Sequence, residues 1–142
     1  MASETIRTDD PQRKLVAEKL RNDYRRFYET LIEDAGKDFL KYLYALFMRV
    51  YELAYDDKYM SKSEAANFIP LSHATTRRKY LDHAERLGFL VFEKNPTDGR
   101  SELVKPGPSL EPFVTGEVEQ SLVDLDRIIA LRRKSERRTG TG

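Results

Sequence analysis

Residues able to grip an anion or read a planar hydrogen-bonding edge crowd into one short stretch. Ser72, His73, Thr75 and Thr76 are followed at once by Arg77-Arg78-Lys79. Hydroxyls and main-chain amides at a helix start suit phosphate oxygens, and an Arg guanidinium can hold guanine through two parallel hydrogen bonds. A second set, Lys94, Thr97, Asp98 and Arg100, surrounds the polar run Asn95-Pro96-Thr97-Asp98-Gly99-Arg100. An Arg at a hairpin tip fits a narrow minor groove, where the negative potential is strongest. This is the chemistry of holding a polyanion, not of making bonds. The sequence shows no Ser-His-Asp arrangement, Gly-rich phosphate loop or His-Glu-x-x-His motif, so it reads as a non-enzyme without a cofactor.

Helices and strands must position these groups. Ser61-Lys62-Ser63-Glu64 fits a capping box that opens a short helix, with Ser61 as N-cap. Ile69-Pro70-Leu71 makes the turn, and Ser72 is the expected cap of the next helix. Tyr80, Leu81, Ala84 and Leu87 mark the buried face of that helix, and Gly88 ends it. Successive residues differ by about 100° around a helix. Arg78 and Lys79 therefore face outward, and Arg77 lies nearer the buried side. Arg78 is the candidate base reader and Lys79 a candidate phosphate contact. Residues 89–94 and 101–105 read as two strands flanking the polar tip. Helix, turn, helix and β-wing in this order can present a helix to the DNA major groove. On a plainer reading, the basic triplet is a solvated helix face and Asp98-Gly99 only a good turn former.

The flanks are helical. Asp10-Pro11 is a helix start, and Val16, Leu20, Tyr24, Phe27 and Leu31 recur every three or four residues up to a stop at Gly36. A helix from Phe39 to Ala54 is apolar over most of its surface, as for a central, buried element, and Asp56-Asp57 breaks it. Val118, Leu122, Leu125 and Ile129 define the apolar face of a last helix, whose start is left open by Phe113 and Gly116. The fold class is mainly α with a small β-wing: a winged helix-turn-helix flanked by N- and C-terminal dimerisation helices. One domain is expected over residues 10–136, with the winged core at 58–106 and disordered ends at 1–9 and 137–142.

Net charge is +1, from 25 basic and 24 acidic side chains. That balance neither requires nor excludes nucleic acid, because phosphate contacts are made by local patches. Residues 62–105 carry a small excess, eight basic against six acidic. No cysteine is present, which removes disulfides, thiol redox sensing and thiolate metal sites, and two histidines are too few for a multi-histidine metal site. No apolar run is long enough to span a bilayer, so no membrane partner and a cytoplasmic location are expected.

The capped helix, the segment from Thr76 to Gly88, the Leu87-Gly88-Phe89-Leu90 sequence and the wing residues Asp98-Gly99-Arg100-Ser101 resemble the MarR-type (multiple antibiotic resistance regulator) winged-helix family. The motif region covers about a third of the chain, and the flanking helices agree with that family in number and order. Two features depart from it. Pro70 stands in the turn where Gly is frequent, and the wing exits into Pro106-Gly107-Pro108 in place of the frequent Leu-Thr-x-x-Gly. The resemblance implies a homodimer built from the outer helices. Double-stranded DNA is the implied partner, with Asp98 pairing with Arg100 to orient its guanidinium. It also implies regulation of transcription, in many members through a small-molecule effector. A cluster drawn from Tyr24, Phe27, Tyr28, Tyr42, Tyr44, Phe47, Tyr51, Tyr55 and Tyr59 could line an effector pocket, although core packing is the commoner role of such residues. The alternative function is a winged helix used for protein–protein interaction without DNA, motivated by the low net charge and by Asp82 and Glu85 on the second helix.

Overall fold

The computed structural model of the chain describes residues 10–29 and 38–139. The elements in order are α1 (Pro11–Glu29), α2 (Phe39–Tyr55), β1 (Met60–Ser61), α3 (Lys62–Asn67), α4 (Ala74–Arg86), β2 (Leu90–Lys94), β3 (Glu102–Pro106) and α5 (Leu110–Thr139). Leu31, Gly36, residues 1–9 and residues 140–142 lie outside the described residues, as does the side chain of Phe27. The chain divides into two compact units, Met1–Arg26 with Val118–Gly142 and Phe27–Glu117.

The second unit is a helical layer on a three-stranded antiparallel sheet of order β1-β3-β2. α2 runs through its centre, with Phe39, Leu40, Leu43, Leu46, Phe47 and Val50 buried, as its apolar surface requires. Leu90, Val104 and Met60 supply the buried face of the sheet, and Ala65, Ile69, Leu81 and Ala84 bring α3, the turn and α4 onto it. Phe47 stacks on Phe89 at 5.0 Å between ring centroids, nearly parallel at 7°. Phe113 meets both rings edge-on, at 6.2 Å and 6.1 Å. Phe113 therefore belongs to the core, and α5 begins at Leu110 and runs straight through Gly116. The two-residue strand β1 carries no sequence signal of its own; it pairs with β3 across forty-odd residues, Met60 opposite Val104.

Local signals set the element ends. Asp10 caps α1, its Oδ1 accepting the N–H of Gln12 at 3.0 Å and of Arg13 at 3.4 Å. Ser61 caps α3, its Oγ accepting the Glu64 N–H at 3.1 Å. Glu64 returns to the Ser61 hydroxyl at 3.2 Å, in place of the main-chain amide of a standard capping box. α2 and α4 close in the same way. In α2, Asp57 N–H donates to Ala54 O at 3.0 Å and Lys58 N–H to Leu53 O at 2.9 Å. In α4, Gly88 N–H donates to Glu85 O at 3.0 Å and Phe89 N–H to Ala84 O at 2.9 Å. Both are Schellman closures with a left-handed residue after the cap, φ 55° at Asp57 and 80° at Gly88.

The wing exit explains Pro106-Gly107-Pro108. Gly107 N–H donates to Phe89 O at 2.9 Å and Ser109 N–H to Gly88 O at 2.8 Å. Ser109 Oγ donates to Leu87 O at 2.9 Å. The end of the wing is thus laced to the end of α4 backbone against backbone. A Cβ at residue 107 would collide with the Gly88 carbonyl oxygen, a backbone contact no rotamer change relieves. Gly107→Ala should therefore lower stability by about 3 kcal/mol or more. Gly116→Ala meets nothing within 4 Å and should raise it by about 0.5–1 kcal/mol, because Ala loses less backbone entropy in a helix. Thermal melts followed by circular dichroism check both signs.

Candidate nucleic-acid interface

α4 starts one residue later than its sequence suggests. The N-cap is His73, extended at φ −96° and ψ 125°, and its side chain makes no capping hydrogen bond. Ser72 therefore stands outside the helix and does not cap it. The turn before it is a γ-turn, with Leu71 N–H donating to Ile69 O at 2.8 Å across Pro70. Proline's fixed φ, near −65°, suits the centre of an inverse γ-turn, so no glycine is needed there.

Ser72, His73, Thr75, Arg78 and Lys79 are exposed, and Thr76 and Arg77 are half-buried. Arg77 points back into the turn, where its Nε–H donates to the Leu71 carbonyl. That bond spends part of the guanidinium on holding α4 against the turn. Arg78 makes no ion pair among the described residues and faces solvent.

The wing tip is held by two Asx turns. Asn95 Oδ1 accepts from Thr97 N–H at 3.0 Å and from Thr97 Oγ1 at 2.8 Å. Asp98 Oδ1 accepts from the main-chain N–H of Arg100 at 3.1 Å. Ser101 N–H closes on Asp98 O at 3.1 Å, and Asn95 N–H on Ser101 O at 3.0 Å. Asp98 thus orients the Arg100 backbone. Among the described residues the Arg100 guanidinium has no carboxylate partner, so the pairing implied by the family resemblance is replaced by a turn. φ is not positive at Asp98 or Gly99, so this is not the two-residue hairpin turn that Asp-Gly often makes. Lys94 and Thr97 are exposed, with Lys94 in register opposite Glu102.

Arg77, Arg78 and Arg100, set on two separate elements, share one cleft. It measures about 330 Å³ and is also lined by Lys62, Ser63 and Glu102. Ser72, His73, Thr75, Thr76, Lys79, Lys94, Thr97 and Asp98 do not line it. Sequence reasoning missed Lys62 and Ser63, which are separated from Arg100 by most of the winged core and adjoin it only through the β1–β3 pairing. Lys62 Nζ sits 4.4 Å from the centroid of the Phe92 ring and 3.8 Å from Asp82 Oδ1. The Asp82 side chain is largely exposed, so that ion pair is weak.

The far side of the sheet is fastened by a different set. Lys105 Nζ bonds to Glu93 Oε2 at 2.8 Å and lies 4.6 Å from the centroid of the Tyr59 ring. The Tyr59 hydroxyl donates to Asp57 Oδ1 at 2.9 Å. The hydrogen bond to Glu93 raises the Lys105 pKa above its ordinary value. His83 lies at the core edge, edge-on to Phe39 at 5.2 Å. Of the tyrosines of α2, Tyr42 packs on Tyr80 and Tyr44 on Phe113, Tyr55 is exposed, and none lines the cleft.

In the first unit, Leu15 and Lys19 of α1 face Asp124, Arg127 and Ile128 of α5 across a narrow gap. Ile128 is buried, yet Val16, Leu20, Tyr24, Val118, Leu122, Leu125 and Ile129 are exposed, Leu20 and Tyr24 at 62% each.

No family model and no curated protein matches the sequence. Several solved structures are similar to it. A crystal structure of MarR is 22% identical over 93% of this chain and 96% of its own, with a TM-score of 0.45. A putative MarR-like transcription regulator from Bacillus cereus ATCC 10987 is 17% identical over 85% and 84%, with a TM-score of 0.43. The PcaV transcriptional regulator from Streptomyces coelicolor, solved with its natural ligand, is 16% identical over 92% and 97%, with a TM-score of 0.40. Independently of these, the α3-turn-α4 arrangement followed by the β2–β3 hairpin is a winged helix-turn-helix.

Two neighbouring arginines should separate structure from surface. Arg77→Ala removes the bond to Leu71 O and should cost about 1.5 kcal/mol, or roughly 5 °C in Tm. Arg78→Ala should leave the melt unchanged. Parallel melts of the two variants decide.

Proposed function

We propose that this chain is a sequence-specific, double-stranded-DNA-binding transcription regulator that works as a homodimer on a near-palindromic site. The observation that carries this reading is the union of an exposed, basic α4 with a stiffened wing whose Arg100 has no carboxylate partner among the described residues. α4 would enter the major groove, with Arg78 at base edges and Lys79 on phosphate. Ser72, His73, Thr75 and Thr76 would lie along its entry. The α4 N-terminus, lacking a side-chain cap, leaves main-chain N–H groups for backbone oxygens. Arg100 would occupy the adjacent minor groove, with Lys94 and Thr97 beside the backbone.

The dimer would cover the exposed stripe of the first unit. Burying a Leu, Ile or Val side chain is worth about 1.5–3 kcal/mol. A two-fold arrangement of Val16, Leu20 and Tyr24 with Leu122, Leu125 and Ile129 brings several such residues in from water at once. Effector binding, as in PcaV with its natural ligand, is an extension of the same reading and would add control of the bound state.

Fluorescence anisotropy with random and selected duplexes, at several salt concentrations, tests the function. Arg78→Ala should lower affinity for the selected site by about tenfold or more and alter sequence preference. Lys79→Ala should weaken all sequences alike and lower the salt dependence by about one phosphate contact. Unchanged binding in both variants would remove α4 as the reader. Sedimentation of Leu122→Asp should show monomer where the parent chain is dimeric; a monomeric parent would remove the dimer.

A further inference from the structure

We infer that the cleft between α3, α4 and the wing seats one backbone phosphate of the DNA in each half-site, and that Lys62 is a direct contact to it. The inference rests on the DNA-binding reading above and adds a residue and a place to it. A helix in the major groove and a wing in the adjoining minor groove lie on opposite sides of one sugar-phosphate strand. That strand has to pass through the gap between the two elements. Here the gap is the 330 Å³ cleft, with Arg77 and Arg78 on the α4 wall, Arg100 on the wing wall and Lys62 on the floor at α3. A cleft of this size is at the lower end of ligand-sized sites and has room for a phosphodiester with its flanking sugar edges.

The chemistry of the wall fits a phosphate better than a base. Cations from three separate elements converge on a concave spot, whereas bases are read by side chains projecting from a convex helix. Lys62 suits a point contact on phosphate. Its ammonium lies over the Phe92 ring, 4.4 Å from the centroid, and the carboxylate paired with it, Asp82, stands 3.8 Å away, so the ammonium is placed yet not neutralised at close range. Ser63 adds a hydroxyl at the rim. Glu102 is the dissenting group: its carboxylate lines the same cleft and repels an incoming phosphate. The inference therefore assigns opposite signs to two residues of one wall.

The full chain and its selected duplex provide the test. Lys62→Met keeps an unbranched side chain of similar length beside Phe92 and removes the charge. It should weaken selected and random duplexes equally, by about three- to tenfold, and lower the slope of log K against log salt by about 1. Lys62→Arg should restore both, which a purely structural role would not require. Glu102→Gln should tighten binding about threefold. Neutral methylphosphonates walked along the duplex should reveal one backbone position per half-site whose loss of affinity in the parent vanishes in Lys62→Met. Inorganic phosphate at matched ionic strength should displace the duplex no better than chloride.

Unchanged affinity and salt slope in Lys62→Met, with the parent still binding the selected duplex, would overturn the phosphate seat and leave the DNA reading standing. Specific displacement by inorganic phosphate would assign the seat to a free anion and equally overturn it. A parent chain that binds no duplex even at low salt would overturn the DNA reading, and the seat with it.

Discussion

The contact between two glycines governs how α4 and the wing are held together. Gly88 takes the left-handed conformation that stops α4, and Gly107 lies so close beneath it that only a hydrogen atom fits on its α-carbon. Around them, Gly107 and Ser109 return their N–H groups to Phe89 O and Gly88 O. The end of one element and the exit of another thus satisfy each other's main-chain groups, leaving fewer orphaned in the interior. Pro106 and Pro108 on either side limit the chain's other conformations. The angle between α4 and the β2–β3 hairpin is consequently set by backbone hydrogen bonds, which side-chain rearrangement cannot easily alter.

From that lock the remaining geometry follows by packing. Phe89, directly after Gly88, stacks on Phe47 of α2. Phe113, one turn into α5, meets the same pair edge-on. Such offset and edge contacts add to the burial of large apolar surface. At the opposite end of α4, Arg77 reaches back to the Leu71 carbonyl. α4 is thus fixed at both ends, by the backbone of Gly88 and by the Arg77 side chain, and this leaves Arg78 and Lys79 exposed between them.

Much of this was legible in the sequence because it is local. The Asp10 and Ser61 caps, the Gly88 stop, the buried α2 and the hairpin around Asp98 each depend on residues a few positions apart. The strand limits shifted by one residue, from 89–94 and 101–105 to Leu90–Lys94 and Glu102–Pro106. What was not legible is what the chain brings together over long separations. β1 exists only because β3 offers it a partner. Gly107 reads as a turn residue until Gly88 is placed against it. Phe113 looked out of register because α5 changes face: Leu110, Phe113 and Val114 serve the core, while Val118, Leu122, Leu125 and Ile129 form a separate exposed stripe. Ser72 yielded the cap position to His73 because the extended backbone fell one residue later. Asp98 was assigned to the Arg100 side chain and holds its amide instead. Local propensity does not distinguish these outcomes, since each rests on a main-chain angle.

A near-neutral chain can still hold a polyanion when its charges are sorted by position. At physiological salt, exposed charges separated by more than about 8 Å are largely screened from one another, so a distant carboxylate does little to a cation in a cleft. The acidic residues that matter are those in the same wall, Glu102 above all, and Asp82 beside Lys62. On the proposed reading they lower the affinity that any DNA would receive from phosphate contacts alone. Base contacts from α4 then make up a larger share of the total. Because non-specific binding is essentially the phosphate term, weakening that term lowers the affinity for every sequence alike, and the ratio of specific to non-specific affinity is left to the base contacts. On that reading, the balance of 25 basic against 24 acidic residues goes with a modest grip on every sequence, and what separates one sequence from another falls to the side chains that α4 presents.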